Sequence, residues 1–134
     1  MQRSREPPRP GELLGRAPPW PREWAQRLGR KAAQTGARSE VFHQRSTDRW
    51  AIRWKRGGRT LLTLYPSPEG VEAELRLAGI PALKLRAWID SDPLLREGLT
   101  PGARTLVLRT GLDGPVRARR LEDLLAELAR LDPA

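Results

Sequence analysis

Trp50-Ala-Ile-Arg-Trp-Lys-Arg-Gly-Gly-Arg-Thr-Leu-Leu-Thr-Leu-Tyr65, followed by Pro66, is the stretch that decides the fold. Trp50, Ile52 and Trp54 alternate with Ala51, Arg53 and Lys55, the period of two that marks a half-buried strand. Gly57 and Gly58 follow, and paired glycines between two apolar runs supply the backbone angles of a tight hairpin turn. Thr60 to Tyr65 is then the return strand. Pro66, Pro68 and Gly70 end it, after which Val71-Glu-Ala73-Glu-Leu75-Arg-Leu77 alternates again. Three antiparallel strands with one apolar and one polar face follow from this pattern.

Working outward, Pro21 suits a first helical position, and Glu23 falls where a helix dipole favours an anion. Trp20, Trp24, Leu28 and Ala32 recur every fourth residue as an apolar stripe, and Gly36 is a left-handed stop. A short strand is expected over residues 40–44. Downstream, Gly79 and Pro81 break the alternation. Residues 82–90 read as a short helix with Leu85, Trp88 and Ile89 inward, and Asp92-Pro93 as the start of another. Residues 105–109 read as a further strand and 111–115 as a loop. Leu121, Leu124, Leu125, Leu128 and Leu131 then mark one face of a terminal helix. The expected class is α+β: an antiparallel meander of four to five strands with N-terminal and C-terminal helices packed on one face. Residues 1–19 hold five of the 13 prolines and read as a flexible Pro/Arg-rich tail, with Glu12 to Leu14 as its one turn able to dock. Residues 20–134 read as a single domain.

The run from Trp50 to Pro66 resembles the hairpin of a bacterial family catalogued as domain of unknown function thirty-seven eighty-eight. The shared features are an early helix, a tryptophan-led strand, a basic glycine turn, the Leu64-Tyr-Pro66 ending, a further alternating strand and a Leu-rich terminal helix. The resemblance spans residues 20–131. It departs from the family pattern at residues 42–49 and 101–104. What it implies is this fold, with no chemistry attached.

Composition narrows the function classes. The chain has 134 residues, 38% of them hydrophobic, enough for a core. The absence of Cys excludes a disulfide scaffold, a thiolate metal site and a Cys nucleophile, and a single His excludes a His-built metal cage. No cofactor or metal is therefore expected. No apolar run reaches the ~20 residues that cross a bilayer, and no apolar stretch follows the basic N-terminal residues, so a cytoplasmic protein without membrane partners is expected. The formal net charge of +9 is the footprint of a polyanion binder. Among the 25 basic residues only Lys31, Lys55 and Lys84 are lysines, a bias that a GC-rich genome would impose. Codon bias explains Arg over Lys, but not the surplus.

The candidate residues are few. His43, with Ser39, Ser46 and Asp48 near it in sequence, is either a general base or a half-exposed strand histidine. Glu72 and Glu74 share a strand face, either as paired acids or as cross-strand partners of Arg53 and Lys55. Asp90 and Asp92 are too few carboxylates for a hard cation, and Gly57-Gly58 has the setting of a turn rather than of a phosphate loop. The basic hairpin is the main candidate: Arg45, Arg49, Arg53, Lys55, Arg56 and Arg59 stand against one acid, Asp48. Its tryptophans are expected in the core under the terminal helix, leaving all these cations exposed for phosphate. Arg117, Arg119 and Arg120 form a second cluster at the start of the last helix, where cations oppose the dipole unless Asp123 pairs with Arg119. The expected function is a non-enzymatic module that contacts nucleic acid or another polyanion. The alternative is a protein-interaction module or homo-oligomer with no nucleic-acid role.

Overall fold

Gly57 and Gly58 both adopt positive φ, 57° and 79°, as a two-residue type I′ turn requires. They join Arg49–Arg56 (β2) to Arg59–Ser67 (β3) at the centre of a sheet whose other strands are Arg38–Gln44 (β1), Gly70–Arg76 (β4), Leu99–Pro101 (β5) and Leu106–Gly111 (β6). The computed structural model describes residues 7–76, 83, 86–87, 90–91, 93, 99–101 and 106–131. The strand order is β1-β2-β3-β4-β6-β5, every neighbouring pair antiparallel. The α+β meander is thus as expected, with one further strand. That strand, β5, is three residues long and contains Pro101; it lies at the sheet edge, where a missing backbone donor is tolerated. Of the helix expected over 82–90, positions 83, 86, 87 and 90 are described and helical; Leu85, Trp88, Ile89 and Asp92 lie outside the described residues.

Three helices are described over their whole length: Pro10–Leu14 (α1), Pro19–Gln34 (α2) and Pro115–Leu131 (α3). Because α2 starts at Pro19 rather than Pro21, Glu23 falls beyond its first turn. Its C-terminus closes as the sequence indicates. Gly36 sits at φ 94°, its N–H bonds Ala33 O, and Ala37 N–H reaches back to Ala32 O, the paired bonds of a Schellman stop. The flexible tail expected over residues 1–19 needs correcting in its second half. Leu13, Leu14 and Ala17 are buried in the core, so α1 belongs to the domain. No helix among the described residues is long and apolar enough to cross a membrane.

The core forms where the helices meet one sheet face. Ile52, Leu62, Leu64, Ala73, Leu75 and Leu108 lie beneath Leu28, Ala32, Leu121, Leu124, Leu125 and Leu128. Pairing shifts between Trp54↔Leu62 and Lys55↔Thr60, which makes Leu61 an extra residue. This bulge turns Leu61 into the core beside Leu62 instead of onto the opposite face. The Trp54 indole is buried as expected, but it lies against α2. Gly29 faces it, and a Cβ there would come within 2.6 Å of Trp54 Cζ2. The helix–sheet approach at this point is one that only glycine permits without movement.

Helices α2 and α3 run side by side and parallel. Trp24 shares a cavity with Val116 and Arg119, Arg27 bonds Glu122 further along, and Arg56 touches carbonyls near both C-termini. Parallel packing gathers two negative helix ends at one end of the domain and two positive ends at the other.

Candidate functional site

Strand alternation sends Arg49, Arg53 and Lys55 to the sheet face opposite the helices, as the period of two requires. They are not free there. Glu40 on β1, directly across from Arg53, bonds Arg53 Nε and lies 3.3 Å from Lys55 Nζ. The Arg53 hydrogen bond, then that of Lys55, holds the Glu40 carboxyl below the usual carboxylate range. On the next strands, Arg49 and Arg109 place their guanidinium carbons 5.0 and 4.7 Å from the Tyr65 ring centre. Both reach Glu72, at 3.6 and 2.6 Å, and Arg109 also lies 3.6 Å from Glu74. Burial, reinforced by the Glu74 charge, pushes the Tyr65 phenol up. The expected pairing of Glu72 and Glu74 with Arg53 and Lys55 is not made: Glu40 on β1 takes Arg53 and Lys55, while Glu72 and Glu74 meet Arg109 on β6, and Glu72 also Arg49. Three carboxylates therefore engage five cations on this face, Arg76 lying 4.0 Å from Glu74, so each of these cations has a carboxylate beside it while the face keeps a net positive charge.

The remaining hairpin cations scatter. Arg45 is exposed in the turn before β2, and Arg59 is exposed after the turn at its other end. Arg56 corrects the expectation of an exposed, dispensable side chain. It shares the parity of Trp50, Ile52 and Trp54 and so points to the helices. Its Nη1 donates to Thr35 O at 3.3 Å and its Nη2 to Ala129 O at 3.2 Å. A cation at two helix C-termini is a structural clip. His43 pairs with Asp48 at 3.0 Å and meets Trp50 edge-on. Among the described residues no hydroxyl bonds the imidazole, so the pair lacks a nucleophile. Nor does any group of three or more His, Asp and Glu among them stand ready to hold a metal ion.

The second cluster divides as well. Arg117 pairs with Asp113 at 3.2 Å, one turn earlier. Arg119 and Asp123 do not pair with each other. Both line a cleft of about 410 Å³ in the α2–α3 seam, together with Trp24, Pro115, Val116 and Arg120. Further along the seam, Arg27, Arg30, Lys31, Gln34 and Glu122 surround a second depression of about 210 Å³. The two are separated by Arg27, which bonds Glu122 through two nitrogens, at 2.9 and 3.1 Å, and covers the Trp24 ring at 4.3 Å. Trp20 packs against Trp24 and is 37% exposed; Val116 is 61% exposed. Among the described residues, Arg30, Lys31, Arg119 and Asp123 have no hydrogen-bond or ion-pair partner.

This seam was not evident from the sequence, where Trp20 and Trp24 read as one apolar stripe with Leu28 and Ala32. The spacing held the signal. Steps of four residues advance ~40° beyond a full helical turn, so Trp20 lies ~120° around the helix from Ala32. Ala32 and Leu28 face the sheet fully buried, whereas Trp24 is half-buried and Trp20 emerges to solvent. Comparison with protein-family models, curated proteins and solved structures finds no match to this chain.

Proposed function

We propose that this protein is a non-enzymatic binding module that contacts a polyanion, nucleic acid foremost, along the outer seam of α2 and α3. The observation that carries this reading is the division of the basic residues. Arg49, Arg53, Lys55 and Arg109 each have Glu40, Glu72 or Glu74 beside them. Arg119 stands without a carboxylate partner in the cleft beside Trp24, and Arg30 and Lys31 likewise further along the seam. Cations interleaved with aromatic rings along a groove neutralise phosphates and stack bases.

Filter binding to mixed-sequence DNA and RNA at low and high salt tests the reading. Binding should weaken steeply with salt, because each phosphate contact releases counterions. Arg30→Gln/Lys31→Gln/Arg119→Gln should reduce both affinity and salt slope, and Arg53→Gln/Lys55→Gln should leave them nearly unchanged. No binding at low salt, or equal losses in the two variants, refutes the assignment. A protein partner is the second reading, favoured by the exposure of Trp20 and Val116 on one surface.

A further inference from the structure

We propose that the seam takes single-stranded nucleic acid, with one unstacked base lodged in the cleft beside Trp24 and Val116. The inference rests on the polyanion reading and narrows it. The cleft, about 410 Å³, falls among those that accept a small organic group rather than a bare ion. Its walls differ in chemistry. Trp24, Pro115 and Val116 are apolar; Arg119, Arg120 and Asp123 are charged, and of these Arg119 and Asp123, opposite in sign and one helical turn apart, have no partners of their own among the described residues.

Those two unpaired charges decide the ligand class. A polyphosphate or a sulfated sugar would satisfy Arg119, leave the apolar wall unused and meet repulsion from Asp123. A nucleotide presents both complements at once. Its phosphate suits the Arg119 guanidinium, and the exocyclic amino group of cytosine or adenine donates to the Asp123 carboxylate. Its flat ring fills the space against the Trp24 indole. Neighbouring phosphates then have Arg30 and Lys31 ahead of them along the same seam, which runs ~21 Å from Trp20 to Gln34 by helix rise. A duplex cannot engage in this way, because its bases stay inside the stack.

The test titrates the full chain with oligodeoxycytidine, oligodeoxythymidine, an abasic strand of equal length, inorganic polyphosphate and an acidic peptide, following tryptophan fluorescence. Oligodeoxycytidine should bind about tenfold more tightly than the abasic strand, the scale of one base–aromatic stack, and more tightly than oligodeoxythymidine, which offers no exocyclic amino group. Trp24→Leu should erase the preference over the abasic strand. Asp123→Asn, an exposed change that does not threaten folding, should erase the preference over oligodeoxythymidine. Equal binding of the abasic strand overturns the base cleft while leaving the polyanion reading intact. Failure of every nucleic acid and polyphosphate to bind overturns both, and selective binding of the acidic peptide replaces them with a protein partner.

Discussion

Replacing Arg56 with glutamine removes a side chain that joins the C-termini of α2 and α3. The Arg56 guanidinium donates to Thr35 O and Ala129 O, carbonyls near helix ends that have lost their own helical partners. Hydrogen bonds from a charged donor contribute ~1.5–3 kcal/mol when well formed. At 3.3 and 3.2 Å these two are long, and the side chain is only half-buried, so about half that value applies to each. The dipole term adds ~0.3–1 kcal/mol for each helix end. Arg56→Gln should therefore cost about 2–5 kcal/mol, which is ~1–3 M in the urea midpoint at ordinary slopes. Urea unfolding followed by tryptophan fluorescence reads this directly, with Arg53→Gln as the exposed, ion-paired control expected to shift far less. An Arg56→Gln midpoint no lower than that of Arg53→Gln would show that the clip is absent and that Arg56 belongs with the solvent-facing cations.

Trp54→Ala should cost ~3–5 kcal/mol by the same unfolding assay, the range for deleting a large buried aromatic; wild-type stability would place the indole outside the core. Gly29→Ala should destabilise although alanine favours helix by ~1 kcal/mol, because the new Cβ meets the Trp54 ring and overpacking costs ~1–3 kcal/mol. A stabilised Gly29→Ala protein would refute the close approach of α2 to β2. Tyr65, the single tyrosine, should form phenolate at higher pH in the native protein than in denaturant. Folding favours the neutral phenol, so this contribution is complete below the ordinary pKa near ~10 and is lost as pH climbs through the raised native value. Coincident native and denatured titrations of the phenolate absorption would contradict it.

The hairpin was legible because Trp50, Ile52 and Trp54 leave one arrangement in which a single face is apolar, and because Gly57-Gly58 fixes the turn. The same parity already placed Arg56 on that face. Its charge argued for solvent, and the helix C-termini that satisfy it arrive from positions 35 and 129, distant in sequence. Leu61 shows the limit of strict alternation: a one-residue bulge moves a leucine into the core that the period of two assigns to the open face. The partners of Glu72 and Glu74 depended on strand order, since they lie beside Arg109 only once β6 packs next to β4. The seam depended on a still longer-range fact. Trp24 and Arg119 are neighbours because α2 and α3 pack in parallel, an orientation set by the route of the whole sheet between them.

The working surface proposed for this protein is the helix seam and not the basic hairpin. Nitrogen–proton correlation spectra of the chain, recorded while a single-stranded oligonucleotide is added at low salt, test this most directly. The indole signals of Trp20 and Trp24 and the guanidinium signal of Arg119 should shift together, while those of Trp54 and Arg53 stay in place. Shifts centred on Arg49, Arg53 and Lys55, or no shifts at all, would contradict it.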